Sequence, residues 1–201
     1  MREPRVHIVD DDDAIRDSLK WLFESRGLAV ELYPSAEAFL GAFNRDFSGC
    51  LVLDVRMPGM NGLELYEHLQ ARASTLPVIF ITGHGDVPMA VSALKKGAVD
   101  FIEKPFNDQD MLRLIESCLT RDSAAAAKRA ENASVAQRLE RLTQREREVL
   151  ALIVAGKLNK QIADELDISI KTVEVHRSRV MEKTGANSVA ELVQQVLRSR
   201  E

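Results

Sequence analysis

Disulfide scaffolds, metal fingers and membrane spans are all missing from this chain of 201 residues. Its two cysteines, Cys50 and Cys118, are too few for a disulfide framework and lack metal-site spacing. A reduced, cytoplasmic chain is the expectation. No apolar run approaches the roughly 18 residues a membrane helix needs, so no membrane partner is expected. The start, Met1-Arg2-Glu3-Pro4 and then a short strand and acids, does not read as a signal peptide. No heptad survives across residues 121–142, which argues against a coiled coil. Disorder throughout is excluded too, because 45% of the residues are apolar, near the globular average.

What is present is unevenly distributed. The length suits one large domain or two small ones. The net charge of -4 conceals a split near residue 122: residues 1–122 hold 13 Lys/Arg and 20 Asp/Glu, net -7, and residues 123–201 hold 14 and 11, net +3. An acidic half joined to a basic half points to two domains with different partners.

The first 120 residues alternate short apolar runs with helical patterns. Val6–Val9, Ala29–Tyr33, Cys50–Leu53, Val78–Ile81 and Asp100–Ile102 read as buried parallel strands, apolar on both faces. Ala14–Arg26, Ala36–Phe43, Leu63–Ala71, Val87–Lys96 and Asp110–Leu119 read as amphipathic helices. Five β–α units predict an α/β fold, a doubly wound parallel sheet with helices on both sides. Residues 121–141 read as a partly helical linker able to continue from the helix that ends near Leu119, with alanine and charge but few large apolar side chains and nothing to anchor a core. From Leu142 the pattern is all-α. A capping box, Thr143-Gln144-Arg145-Glu146, opens a first helix that Gly156 ends; Asn159–Leu166, Ile170–Thr184 and Val189–Leu197 follow.

Ligands of an open parallel sheet sit at the carboxyl edge of its strands. Asp10-Asp11-Asp12-Asp13 follows the first strand there, Asp54 ends the third, Thr82 the fourth and Lys104 the fifth. An acidic run ordinarily faces water and favours the next helix N-terminus, the role read for Asp13, and Asp12 and Asp13 receive no metal role. Four strands ending alike change that reading. Clustered carboxylates suit Mg²⁺, a remaining carboxylate can attack phosphorus, and Lys104 offsets the transferring charge.

These residues carry a resemblance. Val9-Asp10-Asp11-Asp12, Leu53-Asp54-Val55-Arg56-Met57-Pro58-Gly59-Met60-Asn61-Gly62, Thr82-Gly83-His84-Gly85-Asp86 and Lys104-Pro105-Phe106 are similar to a response-regulator receiver domain, over residues 1–120. The resemblance implies that Asp54 accepts a phosphoryl group from a sensor histidine kinase. It implies Mg²⁺ held by Asp10, Asp11, Asp54 and the Arg56 backbone carbonyl, with Lys104 and Thr82 on the phosphate. Thr82 and Phe101 would be the switch pair, shifting a population as phosphate draws Thr82 inward. The Lys104-Pro105 peptide would be cis. His84 is read as a solvated loop residue.

In the basic end, Asn159–Leu166, a short turn and Ile170–Thr184 have helix-turn-helix spacing. Leu142-Thr143-Gln144-Arg145-Glu146-Arg147-Glu148-Val149-Leu150, Asn159-Lys160-Gln161-Ile162-Ala163 and the segment from Ser169 to Arg177 resemble the LuxR-type DNA-binding domain, placed at 142–201. With the receiver, the chain resembles the NarL/FixJ family, FixJ-like regulators above all. The resemblance implies promoter double-stranded DNA as a partner, with Glu174, Val175 and Ser178 facing base edges. Lys171, Arg177, Arg179 and Lys183 would bind phosphates, with Thr172 and His176 on the same DNA-contacting helix. It also implies RNA polymerase as a partner, and a homodimer on phosphorylation through Val87–Ile102 and the last helix, whose Val189, Leu192, Val193 and Val196 could equally close the bundle. The chain would then be no turnover enzyme, catalysing only its own phosphoryl transfer and slow dephosphorylation. A haloacid-dehalogenase-type phosphatase is the rival, but Ala14 stands where that family has Thr or Val, and Asp54 would have no role.

Overall fold

The computed structural model describes residues 4–44, 47–83 and 87–198, so His84 and the rest of its loop, Gly85 and Asp86, lie outside the described residues. Five parallel strands, β1 Arg5–Val9, β2 Ala29–Tyr33, β3 Gly49–Asp54, β4 Val78–Thr82 and β5 Asp100–Glu103, form one sheet in the order β2-β1-β3-β4-β5. Every residue of β3 and β4 is buried, while β2 and β5 at the edges are mostly half-buried. That gradient explains why the central strands read as unbroken apolar runs.

Alternation along the strands sends side chains to two core layers. Val6, Ile8, Cys50, Val52, Ile79 and Ile81 pack with Leu19 and Phe23 of α1 (Asp13–Glu24) and with Met111, Leu112, Ile115 and Cys118 of α5 (Asp108–Glu140). On the other side Val9, Leu51, Leu53, Val78 and Phe80 meet α2 (Ala36–Ala42), α3 (Gly62–Ala71) and α4 (Val87–Lys95). Helices cover both faces, the doubly wound arrangement. The order reverses between β1 and β3, which makes their carboxyl ends a crevice.

Two local devices hold that edge. Asp12 caps α1 by accepting from the Ala14 amide at 2.8 Å, and Asp13 stands in the first turn, where an acid favours the helix N-terminus. Asn61 and Glu64 form a capping box at α3. Gly62 begins α3 hard against the end of β3: a Cβ there would sit 2.1 Å from the Asp54 carbonyl oxygen.

The span read as a partly helical linker is helical to Glu140: one helix, α5, runs unbroken from Asp108 to Glu140, and the first compact unit reaches Ala125. Residues 124–140 contain neither glycine nor proline, so nothing stops propagation. Nor is the stretch without anchors. Asp122 is buried and accepts from the Ser48 hydroxyl and the Gly49 amide, both at 2.7 Å, and Val135 is buried as well.

The second unit, Ala126–Glu201, has its own core. Val149, Leu150 and Ile153 of α6 (Gln144–Val154) meet Ile162 and Ala163 of α7 (Asn159–Leu166). Val173 and Val180 of α8 (Ile170–Thr184) and Leu192 and Val196 of α9 (Val189–Arg198) close it. Asp167 in a left-handed conformation (φ 51°) turns the chain out of α7, and Ser169 caps α8 through the Thr172 amide at 3.1 Å.

Candidate functional site

The register aligns the carboxyl ends: Val9 pairs with Leu53, Asp54 with Ile81, Thr82 with Glu103. Asp10, Asp54 and Lys104 therefore meet at one edge. The Lys104 ammonium donates to Asp10 Oδ2 and to Asp54 Oδ1, both at 2.7 Å. The remaining oxygens are held by main chain. Asp10 Oδ1 accepts from the Asp12 amide at 2.9 Å, and Asp54 Oδ2 from the Arg56 amide at 2.7 Å. Asp10 and Asp54 are buried, and Thr82 is fully so. The Thr82 carbonyl accepts from the Lys104 amide at 2.6 Å, and the Lys104-Pro105 peptide is cis.

Two carboxylates against one cation leave surplus negative charge in a desolvated place. Burial pushes the Asp54 carboxyl above its ordinary value and Asp10 adds to this, against the pull of Lys104 and the Arg56 amide. Burial also disfavours the Lys104 charge, but its two carboxylate bonds win and hold the ammonium above its ordinary value. Asp54 is thus a carboxylate held in place by hydrogen bonds, with one oxygen beside a cation.

Asp11 stands apart: it is exposed and lines a cleft of about 550 Å³ with Arg56, Met57, Pro58, Asn61 and Met89. Among the described residues no three acidic, His or Cys side chains converge into a metal cluster. The donor set still suits Mg²⁺, which keeps several waters and needs only one or two carboxylates with other oxygens. Phe101 is half-buried, its ring 6.4 Å from that of Phe80.

Sequence reasoning missed two residues that position this edge. The Glu37 carboxylate accepts from the Met60 amide at 2.9 Å, tying down the loop after β3. Arg16 is buried and donates to the Asp10 carbonyl at 2.6 Å. Neither stands in a motif, since the bonds that tie them to this edge go to main-chain atoms.

In the second unit, Lys171, Glu174, Val175 and Ser178 are exposed at spacings of three and four, one stripe of α8, with exposed Arg179 beside them. Arg177 and His176 are half-buried, and His176 Nδ1 is buried without a hydrogen-bond partner among the described residues. The Thr172 hydroxyl lies 2.8 Å from that of Ser169, at the helix cap. Lys183, expected on phosphate, is half-buried, and its ammonium donates at 2.7 Å to Glu146, which is buried and also accepts from the Thr143 amide.

Comparison with known proteins agrees with both halves. The response regulator receiver domain family matches residues 6–116, and the luxR family of bacterial regulatory proteins matches residues 140–196. The transcriptional regulatory protein FixJ of Rhizobium meliloti is 50% identical over 198 residues, 98% of this chain and 97% of that protein. FixJ of Bradyrhizobium diazoefficiens is 47% identical over 194 residues, 96% and 95%. The chain belongs to the FixJ-like response regulators. This response regulator is also similar to the solved structure of the response regulator StyR, at 44% identity and a TM-score of 0.89, covering 98% of this chain and all of that one. Full-length FixJ from B. japonicum gives 45% identity and a TM-score of 0.59, over 100% and 98%. The FixJ-like response regulator is thus a regulator of transcription with a receiver and a LuxR-type DNA-binding domain, and among its described residues no helix is long and apolar enough to cross a membrane.

Proposed function

We propose that Asp54 is the phosphoacceptor, and that phosphorylation by a sensor histidine kinase turns on homodimerisation and promoter binding in the cytoplasm. The observation that carries this is the Lys104 ammonium, 2.7 Å from oxygens of both Asp10 and Asp54 at the carboxyl edge of the sheet. An Asp54 oxygen attacks phosphorus, the P–N bond to the kinase imidazole breaks, and an acyl phosphate forms. Lys104 would follow the charge onto the phosphoryl oxygens, and the hydroxyl of Thr82, at the end of the neighbouring strand, would donate a hydrogen bond to one of them. Asp10, Asp11, Asp54 and the Arg56 carbonyl would hold Mg²⁺, which supplies further positive charge there. The receiver serves no substrate but itself, in gaining and slowly losing this phosphoryl group.

Dimerisation is supported by apolar side chains left outward: Val91 and Leu94 on α4, Val189 and Leu197 on α9. Leu192 and Val196, by contrast, close the bundle core. Dimerising two weak DNA readers raises affinity through effective concentration, and RNA polymerase reads the result. The test is Asp54→Asn, with phosphoryl uptake from kinase and promoter activation measured together. Both are lost; activation that still responds to phosphoryl donor overturns the assignment.

A further inference from the structure

The loop after β3 is anchored at both ends and has one tie between them. At its start the Val55 amide donates to the Ile81 carbonyl at 2.9 Å, and the Gly62 amide returns to the Val55 carbonyl at 3.0 Å. At its end Asn61 and Glu64 close their capping box. Over residues 57–60, the one hydrogen bond among the described residues runs from the Met60 amide to Glu37 Oε1, at 2.9 Å.

Glu37 reaches the loop from another element. It stands in the first turn of α2, which Ser35 caps through the Ala38 amide at 3.2 Å. An acid is favoured at that helix end, and the bond from the Met60 amide, above all, holds its carboxyl below the ordinary value. Gly59 makes the approach possible. Its φ is +75°, and a Cβ there would sit 2.8 Å from the same Glu37 oxygen. Carboxylate and glycine are fitted to each other across two elements.

What the tie controls is Arg56. Its amide donates to Asp54 Oδ2 at 2.7 Å, and its carbonyl is one of the oxygens read as holding Mg²⁺. We propose that Glu37 is a positioning residue for phosphoryl transfer: by holding Met60 it fixes the Arg56 main chain on which both Asp54 and Mg²⁺ depend. This rests on the reading of Asp54 as phosphoacceptor. Among the described residues no hydrogen bond or ion pair joins Glu37 to Asp54, so Glu37 acts only through the loop. Removing an outer partner of this kind typically costs roughly 10–100-fold in metal affinity or activity.

The test compares the full chain with Glu37→Ala and Glu37→Gln, with acetyl phosphate as donor, Mg²⁺ as titrant and uptake on Asp54 read by peptide mass. Glu37 is exposed, so neither change opens the core. Glutamine keeps a side-chain oxygen that can accept from Met60, and alanine keeps none. In Glu37→Ala uptake slows about ten-fold and half-maximal uptake needs more Mg²⁺; Glu37→Gln stays near wild type. Without donor or Mg²⁺, the Arg56 and Met60 amides exchange faster with solvent in Glu37→Ala and not in Glu37→Gln. A purely structural role would lower the urea midpoint of Glu37→Ala and leave its Mg²⁺ requirement unchanged, which overturns the proposal. So does a Glu37→Gln chain as impaired as Glu37→Ala. If wild type takes the phosphoryl group and Glu37→Ala matches it, the proposal alone falls. If wild type takes none on Asp54, the phosphoacceptor reading falls and the proposal with it.

Discussion

Lys104 is the residue on which the carboxyl edge of the sheet balances, because among the described residues it alone bridges Asp10 and Asp54. Removing it as Lys104→Met leaves two buried carboxylates facing each other, and losing one partner of a buried ion pair costs about 3–5 kcal/mol. The variant should be destabilised in urea at pH 7 and recover part of the loss near pH 5. One carboxyl can take a proton there, and a raised folded pKa makes the folded state the better proton binder. An equal cost at both pH values speaks against the bridge. Glu146 works the other way. The Lys183 bond is the main cause that lowers its carboxyl, helped by Thr143 and opposed by desolvation. A depressed folded pKa stabilises above the ordinary carboxyl value of 4.5 and is lost as pH falls through the folded one. The melting temperature of the second unit should therefore fall with pH below about 4.5, and Glu146→Gln should flatten that slope. A slope unchanged in Glu146→Gln removes the pair from the explanation.

At the scale of elements, α8 sorts its cations by position. Exposed Lys171 and Arg179 are free to meet phosphates, whereas Lys183 is engaged with Glu146. Removing one phosphate-binding cation lowers the slope of log affinity against log salt by roughly 0.9. Lys171→Ala and Arg179→Ala should each take about that from the slope, and Lys183→Met should leave it unchanged while costing about 1–2 kcal/mol of stability. A slope that drops with Lys183→Met restores this lysine to the DNA-binding set. The start of α3 is equally specific. Gly62→Ala places a methyl where the Asp54 carbonyl lies 2.1 Å away, and overpacking of this kind costs about 1–3 kcal/mol or more. Circular dichroism melts should show the loss, with phosphoryl uptake impaired beyond it because the same carbonyl ends the Asp54 strand. The strands were legible because β3 and β4 are buried on both sides and so apolar throughout. The meeting of Asp10, Asp54 and Lys104 followed from parallel topology and strand ends. Lys183 was not legible, since its partner lies 37 residues back and the pairing is set by how α6 and α8 pack. Helix α5 escaped periodicity because residues 124–131 are mostly alanine and charge, with no apolar stripe to count.

As a whole molecule the chain is two cores with different optical properties. Its one tryptophan and both tyrosines, Trp21, Tyr33 and Tyr66, all lie before Ala125. Aromatic fluorescence therefore follows the first unit only, and far-ultraviolet dichroism follows both. Separate cores should give non-coincident melts by the two probes. Coincidence across several denaturant concentrations would mean one cooperative unit. The charge split survives the shift of the boundary to residue 125, because residues 123–127 carry no charge. Asp122, the last acid before that neutral run, has a practical consequence for anyone dividing the chain. A receiver fragment ended at residue 120, where the amphipathic pattern invites a cut, loses the carboxylate that holds Ser48 and Gly49. One ended at residue 125 keeps it and should melt later, by the worth of about 2 kcal/mol or more for two charge-assisted hydrogen bonds. The span that looks like spare connector is part of what the receiver needs to stand alone.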